Sequence, residues 1–178
     1  MNIGQRKPNR LRNFDYSDNG WYFVTVCAHK RQNMFGGIEK EKMILNQYGK
    51  IAKQCWSNIP KHYANVEIDE FTIMPNHVHG IVIIHNSNQR VGNKNFCSLQ
   101  NENIPWQTKL SKSLSSIIRG FKIGVTEYYH NDNLHIFAWQ KSFYDHIIRN
   151  EYSLFRIREY IRNNPINWEE DRNNQAKI

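Results

Sequence analysis

The order of hydrophobic patterns along the chain predicts an α+β fold: a ferredoxin-like βαββαβ sandwich, its antiparallel sheet covered by helices on one face, with one added C-terminal helix. Three observations predict it. Strand-like runs rich in β-branched and aromatic residues occupy 21–28, 66–74 and 77–85. One amphipathic stretch of helical period lies between the first and second of these runs, another follows the third, and a third helical stretch stops just before Pro165.

The first strand, WYFVTVCA at 21–28, follows the turn-forming Ser17-Asp18-Asn19-Gly20 and is continuous enough for a sheet centre. Asn46 then reads as an N-cap. Beyond it Tyr48, Ile51, Ala52, Cys55, Trp56 and Ile59 fall on one helical face, and Pro60 is expected to end the helix. The runs 66–74 and 77–85 are separated only by Pro75 and Asn76, which predicts an antiparallel hairpin. Residues 86–107 are polar and asparagine-rich, the composition of a surface loop.

A second helix is expected over 109–125, with Leu110, Leu114, Ile117, Ile118, Phe121 and Val125 on one side. Its other side gathers Lys109, Lys112, Arg119 and Lys122, either an ordinary solvated face or a helix laid along a phosphate backbone. Residues 134–139 read as the fourth strand. The last helix is expected over 152–163, because Pro165 disfavours the helical conformation at the residue before it.

The 178 residues suffice for one domain with a real core, and 39% hydrophobic with 13% aromatic residues excludes a disordered chain. Lys and Arg total 24 against 16 Asp and Glu, a formal charge of +8 that favours a polyanionic partner. Residues 1–13 carry Arg6, Lys7, Arg10 and Arg12 without an acid, so they form a basic arm, solvated or in contact with phosphates. No stretch has the apolar length of a membrane span, and the N-terminus lacks a signal-like apolar region. Cys27, Cys55 and Cys97 are odd in number and form no CxxC pair, which points away from a disulfide framework or a cysteine zinc site and toward a reducing, cytoplasmic setting.

Chemistry concentrates in Met74-Pro75-Asn76-His77-Val78-His79-Gly80. On a strand His77 and His79 share one face while Val78 points to the other, so two imidazoles can share a cation or be satisfied by hydrogen bonds alone. His85 has the same parity but lies roughly 20 Å further along an extended strand, too far to join them. Tyr160 and Asn164 are one helical turn apart. They are suited to a nucleophile beside an amide metal ligand, or to the edge of an apolar stripe and a helix terminator. Tyr144, followed by Asp145 and His146, is the rival nucleophile.

These segments carry a family resemblance. FTIMPNHVHGIVII resembles the HUH strand of the single-tyrosine HUH endonucleases, transposases acting on single-stranded DNA. WQKSFYDHIIRNEYSLFRIREYIRNNPINW is similar to the C-terminal segment of their REP-associated tyrosine transposase branch. The resemblance runs from the basic lead-in to Trp168, which makes 14–168 a single domain and leaves 169–178 as a polar tail. It implies that His77, His79 and Asn164 hold a divalent metal, Mg²⁺ or Mn²⁺, and that Tyr160 is the nucleophile.

The resemblance further implies a 5′-phosphotyrosine intermediate in hairpin or inverted-repeat single-stranded DNA. Arg6, Arg10, Arg12, Lys109, Lys112, Arg119 and Lys122 are the expected DNA contacts. One tyrosine per chain implies a homodimer, in which the tyrosine helix is able to complete the partner's site. Two other readings compete: a non-catalytic ferredoxin-like nucleic-acid-binding module, and a zinc hydrolase, the latter disfavoured because no carboxylate stands near the histidines in sequence.

Overall fold

The computed structural model describes residues 15–16, 18–85, 113–131 and 137–174. In chain order the elements are β1 (Gly20–Cys27), β2 (Gly36–Glu39), β3 (Lys42–Leu45), α1 (Gln47–Ser57), α2 (Ile59–His62), β4 (Val66–Ile73), β5 (His77–Ile84), α3 (Leu114–Asn131), β6 (Tyr144–Ile148) and α4 (Glu151–Asn163). Among the described residues, one four-stranded sheet has the order β4-β5-β1-β6 with every neighbour antiparallel. This is the ferredoxin-like arrangement that the pattern predicts.

Strand parity divides the molecule into two layers of core. Tyr22, Val24 and Val26 of β1 and Val78, Val82 and Ile84 of β5 face α1 and α3, packing with Trp56, Ile117, Phe121 and Val125. Phe23 of β1 and Ile81 and Ile83 of β5 face the other way and meet Leu154 and Ile161 of α4. Both faces are therefore covered, and β5 is buried along all eight residues. A strand buried on both sides has no reason to alternate with polar residues, hence the unbroken Gly80-Ile81-Val82-Ile83-Ile84.

Four expectations about local structure are corrected. The fourth strand of the sheet is Tyr144–Ile148; of the expected strand 134–139 only 137–139 fall within the described residues, and these form no strand. Trp139 makes only an isolated bridge with Ala28, and its ring packs against Phe35, Phe121 and Phe137, so its apolar neighbourhood is an aromatic plug. The helix after Asn46 stops at Ser57; Pro60 sits in the first turn of α2, where its missing N–H is no loss.

The hairpin β2–β3 was not expected, because it lacks the Asn-Gly signal. Lys40 and Glu41 adopt the positive φ of its two-residue turn instead. Finally, the stretch read as a polar tail is structured as far as Asn174, with Asp171 and Asn173 buried.

Helix α3 is described from Leu114 and continues to Asn131, past the expected end at 125. The predicted loop 86–107 and the arm 1–13 lie outside the described residues. Cys27 and Cys55 are free thiols. Among the described residues no helix is long and apolar enough to cross a membrane.

Candidate metal and tyrosine site

The site lies on the face of the sheet that α4 covers. Pairing of Thr25 with His79 and of Cys27 with His77 puts these four side chains on one face at the centre of the sheet. Their rings meet edge to face with centroids 4.3 Å apart, and both histidines have 0% exposure. Phe23 lies under the group, stacked on His79 at 5.3 Å.

Hydrogen bonds hold each imidazole by its Nδ1. Asn76 donates its Nδ2 to the carbonyls of Arg31 and Asn173, at 3.0 and 2.8 Å. Its Oδ1 is thereby turned to His77 Nδ1 at 2.8 Å and must accept, so Nδ1 carries the proton and Nε2 bears the lone pair. That Nε2 is buried without a hydrogen-bond partner. His79 Nδ1 stands 2.9 Å from the Thr25 hydroxyl, leaving its Nε2 toward α4. Burial lowers the His77 pKa to about 4 and holds His79 well below the ordinary value, with the neighbouring His77 adding to the effect. Both rings are neutral at pH 7, the form that ligates metals.

Helix α4 starts at Asn150, whose side chain caps the Ser153 N–H at 2.8 Å. Leu154 and Ile161 seat it on the sheet. A bulge in β4 between Ile68 and Phe71 offers Asp69 and Glu70 to the helix, where Arg158 and Arg162 pair with them. The Tyr160 hydroxyl comes to rest 3.2 Å from His79 Nε2, within a single chain. Its ring meets Phe23 edge-on at 6.0 Å. Burial of the hydroxyl and the charge of Asp171 push its pKa up, against smaller opposing effects of Arg172 and Asn164.

Asn164 caps the C-terminus of α4 and is 2% exposed, with Oδ1 buried and unpartnered. Its Nδ2 donates to Asp171 Oδ2 at 3.1 Å. The chain reverses through a short 3-10 turn, Trp168–Glu170, which brings Asp171 over the histidines. Ligand atoms of His77, His79 and Asp171 all lie within 4.8 Å of one another. The donors fit a divalent cation: neutral imidazoles, an amide oxygen and a carboxylate, with His77 Nε2 and Asn164 Oδ1 buried and unsatisfied.

Sequence reading missed Asp171, Asn76 and Thr25. Asp171 follows Glu169 and Glu170 and so resembles a solvated acidic run, while Asn76 passes for turn punctuation. The objection that no carboxylate stands near the histidines is removed, since Asp171 is there.

The remaining predicted residues are distributed around this centre or away from it. Tyr144 pairs with Thr25 on the site face, is 42% exposed, and lies under the Arg172 guanidinium and against the edge of Phe23. Asp145 points to the opposite face of the sheet, away from the Tyr144 hydroxyl. Arg119 is exposed on α3. Lys122 is half-buried, and its ammonium donates to the carbonyls of Gln140 and Ser142 at 2.8 and 3.3 Å. Helix α3 and its cations belong to the layer behind the sheet, across from the histidines. Arg6, Arg10, Arg12, Lys109 and Lys112 lie outside the described residues.

No family model matches the chain. An uncharacterized protein of Haemophilus influenzae (strain ATCC 51907 / DSM 11121 / KW20 / Rd) is 43% identical over 170 residues, covering 95% of this chain and 93% of that protein. Identity at this level over nearly the whole of both chains makes them members of one family. The solved structure of a REP-associated tyrosine transposase bound to a REP hairpin superposes with a TM-score of 0.59 at 19% identity, over 89% of this chain and 73% of that one. The two share a fold.

Proposed function

We propose that this chain, of one family with the Haemophilus influenzae protein and built on the fold of a REP-associated tyrosine transposase, is a divalent-metal-dependent tyrosine transposase. Its substrate is single-stranded DNA beside a hairpin or inverted repeat, which it nicks and rejoins. The observation that carries this reading is the Tyr160 hydroxyl 3.2 Å from Nε2 of His79, beside the unpartnered Nε2 of His77 and Oδ1 of Asn164.

In this reading His77, His79 and Asn164 hold the ion, Mg²⁺ or Mn²⁺. When bound, the ion neutralises charge on the target phosphate. Tyr160 is the nucleophile: its oxygen bonds to phosphorus as the P–O3′ bond breaks, the phenol loses its proton and the 3′ oxygen gains one. A 5′-phosphotyrosine and a free 3′-OH result, and the reverse reaction joins a new end without an external energy source. Rigid seating of the phenol by Phe23 and His79 supports in-line positioning, which such a weak nucleophile needs.

Arg6, Arg10, Arg12, Lys109, Lys112 and Arg119 would contact phosphates, and their contribution would fall with added salt. Lys122, engaged by two carbonyls, would act by holding the 140–142 segment. Moving a segment takes two cleavages, so two copies would act together, each cutting with its own Tyr160.

The test is incubation with single-stranded oligonucleotides copied from the flanks of its own gene, with Mg²⁺ or Mn²⁺, and a denaturing gel that reveals protein–DNA adducts. Tyr160→Phe should abolish the adduct while DNA binding persists, and Tyr144→Phe should retain it. An undiminished adduct in Tyr160→Phe sinks the assignment. Because Asp171 gives the histidines a neighbouring carboxylate, hydrolysis is the second reading. It predicts cleaved DNA with no adduct in the wild-type protein.

A further inference from the structure

We propose that Asp171 is a metal ligand, so that the segment after α4 folds back and completes the centre with an anionic oxygen. The inference rests on reading the site as a metal centre and adds to it a ligand supplied by the stretch that its composition presents as a tail.

Three observations carry it. Ligand atoms of His77, His79 and Asp171 lie within 4.8 Å of one another. Donors bound to one ion at about 2.1 Å stand about 3.0–3.4 Å apart when adjacent and about 4.2 Å apart when opposite, so the three atoms close on a cation by drawing together. Second, Asp171 is 8% exposed. Among the described residues no Lys or Arg forms an ion pair with it. The neighbouring Arg172 guanidinium lies over the Tyr144 ring instead. A buried carboxylate held only by neutral donors is expected to coordinate a cation.

Third, the hydrogen bonds orient the carboxylate without exhausting it. Oδ2 accepts from Asn164 Nδ2 at 3.1 Å and Oδ1 from the Asn173 N–H at 2.6 Å, so each oxygen keeps a lone pair. Asn164 stands between the two roles, its Nδ2 fixing Asp171 and its Oδ1 still unsatisfied and buried. Asn173 in turn accepts at its carbonyl from Asn76, the residue that orients His77. The segment 164–174 and the histidine strand are thus joined at the ligands and behind them. With a carboxylate the donor set is harder than two imidazoles and an amide, which favours oxygen-preferring cations.

The experiment follows Mn²⁺ binding to the full chain by electron paramagnetic resonance of the free ion, without DNA. Asp171→Asn should weaken binding at least tenfold, since even outer groups at metal sites are worth that much. In parallel, Asp171→Cys loaded with Co²⁺ should show a thiolate-to-cobalt charge-transfer band that the wild-type protein, with Cys27 in place, lacks. Circular dichroism of the metal-free variants identifies which of them fold, and either one decides. Unchanged Mn²⁺ affinity in folded Asp171→Asn, or Co²⁺ binding by Asp171→Cys without the band, overturns the proposal. Failure of the wild-type protein to bind Mn²⁺ overturns both the ligand and the metal-dependent function. Asp171-dependent binding with no tyrosine adduct supports the ligand and overturns the transposase reading alone.

Discussion

The neutrality of His77 and His79 follows from their place at the sheet centre, where desolvation disfavours a charged ring. In the unfolded chain both titrate near 6.5, whereas folded His77 does so near 4. Below 6.5 the unfolded state therefore binds more protons, and the contribution is present above that pH and lost as pH falls toward 4. The unfolding free energy of the metal-free protein, measured by urea titration, should fall between pH 6.5 and 5 by up to ~1.4 kcal/mol per pH unit for each histidine. A flat profile over that window would show that the rings charge freely in the native state.

Asn76 is the residue on which this arrangement turns. Asn76→Ala removes two donations to carbonyls and frees His77 to choose its tautomer. Expected are a loss of roughly 1–3 kcal/mol, from the orphaned buried carbonyls, and a 10- to 100-fold loss of Mn²⁺ affinity. Denaturation and metal titration read the two effects separately.

Among the elements, β5 does the most positioning, since alternate residues serve the layer of the candidate site and the helical layer. Gly80 follows His79 and faces the helices, where an added Cβ would stand 2.4 Å from the Trp56 ring and 3.0 Å from Phe71 Cβ. Gly80→Ala should lower stability by roughly 1–3 kcal/mol through overpacking, read as a lower urea midpoint. Combination with Trp56→Phe should cost less than the sum of the single changes, because the two residues contact each other. Helix α4 is tied to the other side by Leu154 and Ile161 on the sheet and by Arg158 and Arg162 on the β4 bulge. These contacts fix its rotation, and with it the height of Tyr160 above His79.

At the scale of the whole molecule, one chain brings its own tyrosine to its own histidines. The resemblance allowed the tyrosine helix to complete a partner's site; within one chain Tyr160 already reaches His79 without a partner. Mixing Tyr160→Phe protein with His77→Ala/His79→Ala protein should therefore restore no adduct. Adduct formation in the mixture, each variant being inactive alone, would show exchange of α4 between copies. The basic helix α3 lies on the far layer, so DNA held there would have to pass an edge of the sheet to reach Tyr160.

What could be read from the sequence was set by short-range periodicity. Two-residue alternation placed His77 and His79 together and Val78 opposite; the four-residue turn placed Tyr160 with Asn164; capping placed the start of α1 at Asn46. The same rules failed where local pattern is degenerate. An aromatic plug around Trp139 looks like a strand, and a short edge strand such as Tyr144–Ile148 looks like little at all.

Which distant residues meet was left to the tertiary structure. Tyr160 reaches His79 across 81 residues and Asn173 reaches Asn76 across 97, contacts that depend on the β4 bulge, the seating of α4 and the reversal after Pro165. The sequence by itself determined the βαββαβ plan with its added C-terminal helix, the paired histidines and the tyrosine. Only the folded chain decided that Asp171 stands over them, because a buried carboxylate and a solvated one have the same spelling and differ only in what surrounds them.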